Sequence, residues 1–284
     1  MAKILKGAEV TAVLNEKLKG EAEELKKQGV EPTLAIIRVG ERPDDISYEK
    51  GASKRAETIG VAVKKFILPE DVTQDELIET IHRVNDDSTL HGVLLFRPLP
   101  KHINDEAIRA ELSPDKDIDG ITDGSLVGVF TGTDKGFPPC TPQACMEILD
   151  HFGIDCTGKK AVVIGRSLVV GKPAAMMLIK KNATVTICHT RTVDMPAVCR
   201  EADILIVAAG RAGVIGADYM RPGQTVIDVG INFTDEGKLT GDVDFAAAEP
   251  VVEAITPVPG GVGTVTTTVL IGHVVKAAQR GLNK

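Results

Sequence analysis

Ala161-Val162-Val163-Ile164-Gly165-Arg166-Ser167-Leu168-Val169-Val170-Gly171-Lys172-Pro173 is the stretch that decides the fold. Its first four residues are apolar and rich in β-branched side chains, a run too short for a helix, and they read as a buried strand. Ala174 to Lys181 follows, made of strong helix formers. The order is strand, glycine-bearing turn, helix. A helix opened in this way offers backbone N–H groups and the positive end of its dipole to a pyrophosphate. The turn departs from G-x-G-x-x-G: Ser167 stands where the second glycine would be, and Gly171 comes one residue late. A purely structural turn is therefore the competing reading.

Ala183 to Cys188 forms a second strand, so residues 160–188 have the length of a mononucleotide-binding βαβ unit. An NAD enzyme carries an acid for the ribose 2′-hydroxyl at the end of that second strand. Here the sequence is His189-Thr190-Arg191-Thr192, with a cation and no acid. Arg191 and Arg166 suit a 2′-phosphate, which favours NADP over NAD. For either arginine alone, a solvated surface side chain is the plainer account.

The chain of 284 residues is long enough for two domains, and 43% hydrophobic with 26% charged residues is ordinary globular composition. A net charge of −7, with no basic block, argues against a nucleic-acid partner. No apolar run reaches membrane-spanning length, and no signal-peptide core is visible at the start. Five cysteines lack CxxC or Cys/His ligand spacing, so they read as small buried residues of a reducing cytoplasm, not as a disulfide or metal framework.

Taken in order, Ala8–Gln28 has helical spacing, 34–39 is a strand, and a helix runs from about Asp44 to Thr58. A strand at 61–67 follows, then a capping box from Thr73 to Glu76 opens a helix through Val84. Gly92–Phe96 is a third strand, ended by Pro98-Leu99-Pro100. Strands alternating with helices imply parallel βαβ units, so the first third is itself an α/β layer. Between Ser113 and Pro139 regularity fades. The alternating acids Asp115, Asp117, Asp119 and Asp123 invite a calcium-loop reading, but no glutamate closes the loop and no metal is expected. Thr141 reads as an N-cap with Pro142 at N1 of a helix to about Phe152, the natural hinge. Further strands fall at 204–208 and 225–229. A last helix, from about 264 to 280, lies beyond the nucleotide fold and is expected to pack on the first domain.

Several phrases then coincide: Val39-Gly40 ahead of Tyr48, Pro98-Leu99-Pro100, Asp117-Ile118-Asp119-Gly120, and Pro139-Cys140-Thr141-Pro142. The Gly165–Pro173 turn, Asp228-Val229-Gly230-Ile231-Asn232 and Thr256-Pro257-Val258-Pro259-Gly260-Gly261-Val262-Gly263 complete the set. In this order and spacing the chain resembles the methylenetetrahydrofolate dehydrogenase/cyclohydrolase family over essentially its whole length. The resemblance implies two α/β domains around a cleft. Residues 1–141 plus 264–284 would form the folate-binding catalytic domain, and 142–263 a Rossmann-type NADP-binding domain. It implies that Asp119 accepts from the pterin's amino and ring N–H groups and that Tyr48 stacks on the folate, these two being the catalytic residues. Phe96, Leu99, Gly260, Gly261 and Gly263 would complete the substrate site, the glycines letting backbone approach both ligands. Gly165, Arg166, Ser167 and Gly171, with Thr190, Arg191, Gly230 and Ile231, would hold NADP. It also implies a cytoplasmic homodimer in one-carbon metabolism, taking a folate substrate with or without a polyglutamate tail.

The sequence departs from that family where hydrolysis is concerned. Bifunctional members carry Tyr-x-x-x-Lys, and the fourth position after Tyr48 is Ala52. Lys54 and Lys50 do not replace it: at about 100° per residue Ala52 lies near 40° from Tyr48, against roughly 120° and 160° for the two lysines. The family's glutamine, in Gln-Leu-Pro-Leu-Pro, is Phe96 here. Hydride transfer needs alignment and exclusion of water, whereas ring opening needs proton transfers that a tuned amine assists. The sequence therefore predicts a dehydrogenase with cyclohydrolase activity absent or very weak. A bifunctional enzyme and a non-catalytic folate- or nucleotide-binding protein are the alternatives. Thr264-Val265, where the family has Pro-Met, is a further departure with no account.

Overall fold

The computed structural model describes residues 1–234 and 236–282. In chain order the elements are β1 (Lys3–Ile4), α1 (Gly7–Lys27), β2 (Thr33–Val39), α2 (Pro43–Ile59), β3 (Ala62–Leu68), α3 (Gln74–Asp86), β4 (Gly92–Leu95), α4 (Asp105–Glu111), α5 (Asp123–Thr131) and α6 (Cys140–His151). Then come β5 (Lys160–Ile164), α7 (Gly171–Lys180), β6 (Thr184–Cys188), α8 (Met195–Arg200), β7 (Ile204–Val207), β8 (Thr225–Asp228), β9 (Asn232–Phe233), β10 (Leu239–Thr240), α9 (Phe245–Ala248), β11 (Ala254–Ile255) and α10 (Val262–Leu282). Two units result, one of residues 13–140 with 267–284, the other of residues 1–12 with 141–266.

In the first unit β3, β2 and β4 form a three-stranded parallel sheet with β2 at its centre. Every β2 residue after Thr33 is buried, as a strand covered on both faces should be. One apolar cluster unites Ala35, Ile37 and Val39 of β2 with Val93 and Leu95 of β4, Leu77 and Ile81 of α3 and Ile108 of α4. The expected capping box is present: Thr73 Oγ1 accepts from Glu76 N and the Glu76 carboxylate from Thr73 N. α2 starts on Pro43 and stops at Gly60, whose φ of 87° suits a residue without Cβ. Its buried residues Asp45, Glu49, Ala52, Ala56 and Ile59 recur at helical spacing. Both buried acids on that stripe have cations beside them, Glu49 accepting from Arg38 at 2.8 Å and from Lys65 at 2.7 Å and Asp45 lying 3.9 Å from Arg42.

The second unit is a six-stranded sheet in the order β1-β11-β8-β7-β5-β6, parallel throughout. β5 is the first strand of the βαβ run and has β6 on one side and β7 on the other. The chain therefore changes winding direction beside β5, and ligands of doubly wound sheets bind outside the strand ends at such a switch point. Gly165 and the turn to α7 occupy that end. Gly165 has φ 122°, and a Cβ there would collide with the Ala208 carbonyl; a Cβ on Gly171 would collide with the Gly165 carbonyl. Both glycines of the turn are thus required by the strand–helix packing itself.

Three expectations need correction. Residues 1–12 belong with the nucleotide sheet and not with residues 13–140, because β1 pairs with β11 at Lys3↔Ala254 and Ile4↔Ile255. Thr141 is not an N-cap: α6 already begins at Cys140, which leaves Pro142 in the first turn, where its missing N–H has no partner to lose. The irregular stretch 113–139 contains α5, capped by Thr122 Oγ1 on Ser125 N at one end and by Gly132 at φ 69° at the other.

Candidate active site

Asp119 is placed by its neighbour. Asp117 is fully buried and accepts from Ile121 N at 3.0 Å and Thr122 N at 2.8 Å, which folds 117–122 into a tight loop. The first aspartate of Asp-Ile-Asp-Gly is therefore structural, and the second is left half-buried with no backbone N–H donor of its own among the described residues. Burial pushes its carboxyl up to about 6, assisted by Asp117 and opposed by the Cys140 thiol and the Arg97 charge. A carboxylate in this state gains from any ligand that brings N–H donors to it.

Cys140 Sγ lies 3.3 Å from the Ile118 carbonyl and also within hydrogen-bond contact of Asp119. Its single proton is donated to the Ile118 carbonyl, with the Asp119 carboxylate as a second acceptor within reach. Burial and Asp119 together raise this thiol well above its usual range, so it stays protonated and acts as a donor. His273 Nδ1 sits 2.8 Å from the same Ile118 carbonyl and must donate to it; burial lowers the imidazole to about 4, so the ring is neutral. Cys140 and His273 thus pin the backbone just ahead of Asp119.

Tyr48 stands on α2, one residue from the buried stripe. The residue is 40% exposed, but its hydroxyl is buried beside Thr267, and that burial, with the charges of Asp119 and Cys140, pushes its pKa well above the usual phenol range. The phenol is a neutral donor at any ordinary pH. Phe96, at the end of β4, meets Tyr48 edge-on with ring centroids 5.9 Å apart. The structure therefore brings Tyr48, Phe96 and Asp119 together. Leu99 is half-buried and packs on the apolar cluster of the first unit. Ala52 is completely buried, while Lys50 and Lys54 on the same helix are exposed.

On the nucleotide unit, Ser167 Oγ accepts from Val170 N at 3.1 Å and Gly171 N at 3.4 Å, and its carbonyl from Lys172 N at 3.0 Å. The first turn of α7 is therefore largely self-capped. The N–H groups of Arg166, Ser167, Leu168 and Val169, in the loop ahead of it, have no acceptor among the described residues. The anion-binding groups expected at the helix thus lie in the preceding loop. Ile164 pairs with Cys188, so Arg166 and the His189–Thr192 turn leave adjacent strand ends. That turn is closed by His189 N on Thr192 Oγ1 at 2.9 Å and Arg191 N on His189 Nδ1 at 3.1 Å. Thr190, Arg191 and Arg166 are all exposed.

Gly230 and Ile231 lie at the end of β8. Asp228 accepts from the N–H groups of Gly230, Asp242 and Val243, and Asp242 from Gly210, Arg211 and the Asn232 side chain. A Cβ on Gly230 would collide with Asp242, so this glycine serves the acid-centred packing; Ile231 is 66% exposed beside it. Gly260, with φ 102°, accepts from Gly7 N at 2.8 Å, and a Cβ on Gly261 would collide with the Pro257 carbonyl. Backbone conformation therefore requires glycine at 260 and packing requires it at 261, whereas Gly263 has room for a side chain, with Ile231 Cδ1 at 3.7 Å. These three glycines belong to the nucleotide unit, not to the unit of Tyr48 and Asp119.

Sequence reading missed the roles of Asp117, Cys140, Asp228 and Asp242. The Asp-x-Asp spacing and the Cys between two prolines carried the signal for the first two. Nothing local marks the Asp228–Asp242 pairing. Among the described residues no cluster of His, Cys, Asp or Glu has metal-binding geometry, and no helix is long and apolar enough to cross a membrane.

Residues 5–119 match the tetrahydrofolate dehydrogenase/cyclohydrolase catalytic domain, and 139–282 the NAD(P)-binding domain of the same family. The chain is 52% identical over 281 residues to the bifunctional protein FolD of Carboxydothermus hydrogenoformans, covering 98% of each. Among solved structures it is similar to the bifunctional FolD of Campylobacter jejuni, with TM-score 0.95, 40% identity and 99% of each chain covered. The Trypanosoma brucei N5,N10-methylenetetrahydrofolate dehydrogenase-cyclohydrolase, solved with NADP and an inhibitor, matches with TM-score 0.91 and 32% identity over 100% of this chain and 99% of that one. By sequence over nearly its full length and by fold, the chain belongs to the tetrahydrofolate dehydrogenase/cyclohydrolase family.

Proposed function

We propose that the protein oxidises 5,10-methylenetetrahydrofolate to 5,10-methenyltetrahydrofolate with NADP and has little or no cyclohydrolase activity. The observation that carries the first half is the half-buried Asp119, deprived of backbone donors and facing a phenol held neutral. A pterin brings two parallel N–H groups that suit such a carboxylate. Tyr48 supplies an aromatic face for the folate and a hydroxyl donor beside the acid.

The nucleotide unit fits a dinucleotide phosphate. Four loop N–H groups ahead of α7 lack acceptors, two exposed arginines leave adjacent strand ends, and no carboxylate stands in the His189–Thr192 turn to repel a 2′-phosphate. Arg166 and Arg191 would pair that phosphate, and the backbone of 166–169 would hold the pyrophosphate. When bound, the nicotinamide supplies an acceptor for hydride. The chain's own task is to orient the folate through Asp119 and Tyr48 and to keep water away.

The second half rests on Ala52. It is buried on the stripe of α2 where the bifunctional pattern has lysine, and Phe96, not an amide, faces Tyr48. The cationic groups nearest along the helix, Lys50 and Lys54, are exposed. Proton transfer to and from an opening ring thus has no amine beside Tyr48 to assist it. The relatives named bifunctional favour a second reading, in which both activities persist by another group. A spectroscopic assay with methylenetetrahydrofolate tests the oxidation: NADPH should form at a useful rate and NADH much more slowly. Failure to reduce either cofactor would refute the dehydrogenase reading.

A further inference from the structure

Arg97, which follows Phe96, occupies a place that none of the folate contacts above uses. Its guanidinium is fixed by Asp105, Nε donating to Oδ1 at 2.5 Å and Nη2 to Oδ2 at 2.6 Å. Asp105 in turn accepts from Arg109 at 3.1 Å, and Arg109 Nη1 donates to the Ile121 carbonyl at 3.1 Å. The bidentate pair uses one edge of the guanidinium. Nη1 lies on the other edge and has no acceptor among the described residues.

That edge belongs beside Asp119. Val93 of β4 bridges Asp117 in parallel, and Val93 N donates to the Lys116 carbonyl at 2.7 Å. The strand β4 therefore passes Asp117, the start of the 117–122 loop, and leads on to Phe96 against Tyr48 and then to Arg97. The Arg97 charge acts on the Asp119 carboxyl, opposing the rise that burial causes. A second cation reaches the segment from the start of α2: Arg42 donates to the Pro98 carbonyl at 3.1 Å and lies 3.9 Å from Asp45. It has a partner of its own.

The amide edge of a pterin presents an amino group, a ring N–H and a carbonyl in sequence. An acid can take the first two and leaves the carbonyl at C4 requiring a donor. We infer that Arg97, held by Asp105, donates through Nη1 to the pterin C4 oxygen and so distinguishes 4-oxo from 4-amino pterins. The inference rests on the folate reading above. It assigns to this chain a cationic donor in a position where the family phrase quoted above has leucine. Lysine would not replace it, since one ammonium cannot span both Asp105 and the ligand as a planar fork does.

Calorimetric titration of the full-length protein with tetrahydrofolate and with its 4-amino analogue tests this. The unmodified protein should prefer tetrahydrofolate. Arg97→Leu should lose roughly ten- to a hundredfold for tetrahydrofolate, the size of a charge-assisted contact, and little for the analogue. Arg97→Lys, which keeps a charge for Asp105 and guards against misfolding, should also narrow the preference, by as much as its own smaller loss for tetrahydrofolate. Asp119→Asn should weaken tetrahydrofolate through its amino group and N3–H and the analogue through its amino group alone, the 4-amino ring having no N3–H, and should leave the Arg97-dependent part of the preference in place. Equal losses for both pterins in both Arg97 variants, or no loss in either, would overturn the role of Arg97 alone. Failure of the unmodified protein to bind either pterin would overturn the folate reading and this inference with it.

Discussion

At Asp119 the needs of stability and of binding conflict. A carboxyl raised to about 6 from a usual value near 4 binds its proton more tightly folded than unfolded, so stability falls as pH rises between those values and stays lower above them. Asp119→Asn should therefore raise the melting temperature at pH 7.5, by the equivalent of about 1–3 kcal/mol. The same change places a donor against a pterin N–H and should weaken folate binding by about 2 kcal/mol or more. In the unmodified protein folate affinity should decline below about pH 6 as the carboxyl protonates. If Asp119 were only a turn residue, Asn would be neutral in both assays, since both residues serve turns well. For the cofactor, Arg191→Ala should weaken NADP by roughly ten- to a hundredfold and leave NAD nearly unchanged. Equal losses for the two nucleotides would remove Arg191 from the phosphate site.

Glycines make the element scale testable, because two of them should respond with opposite sign. Gly171→Ala drives a methyl group into the Gly165 carbonyl and should cost about 1–3 kcal/mol, with loss of NADP binding. Gly20 lies inside α1 with nothing within 4 Å of a Cβ, so Gly20→Ala should stabilise by about 0.5–1 kcal/mol in a denaturant titration. The elements that sequence places within a residue or two, β2 to β8 and α2, are those with an apolar run or stripe bounded by glycine or proline. α5 escaped because Gly124, Gly128 and its β-branched residues give it poor intrinsic propensity. A Cβ on Gly128 would strike the Lys135 carbonyl, so packing and not propensity fixes that helix. β1 and β11 have two residues each and pair across some 250 positions, which leaves no period to read. The sequence singles out Tyr48 and Asp119, which lie in one unit about Phe96 and Cys140, and Arg191, which is exposed at the strand end beside that of Arg166. The site was illegible where a partner arrives from far along the chain, as His273 does behind Ile118 and Asp242 beside Asp228.

At the scale of the whole molecule, two α/β units divide the work. One offers a half-buried acid with an aromatic neighbour, the other a loop of unpaired N–H groups with two arginines. Both are equipped for a hydride transfer, which asks only for orientation and dryness. Among the described residues of α2, the position one turn after Tyr48 is the buried Ala52 and carries no amine, and Phe96 meets the Tyr48 ring. Ala52→Lys alone should restore little hydrolysis, since an amine against Phe96 would be desolvated without a partner. Ala52→Lys with Phe96→Gln should exceed the sum of the single changes, as coupled neighbours do. The most direct measurement supplies the unmodified protein with methylenetetrahydrofolate and NADP, and follows NADPH and methenyltetrahydrofolate together. The two should appear in equal amounts, and the methenyl product should then decay no faster than in enzyme-free buffer. Rapid enzyme-dependent conversion of that product to 10-formyltetrahydrofolate would contradict the account.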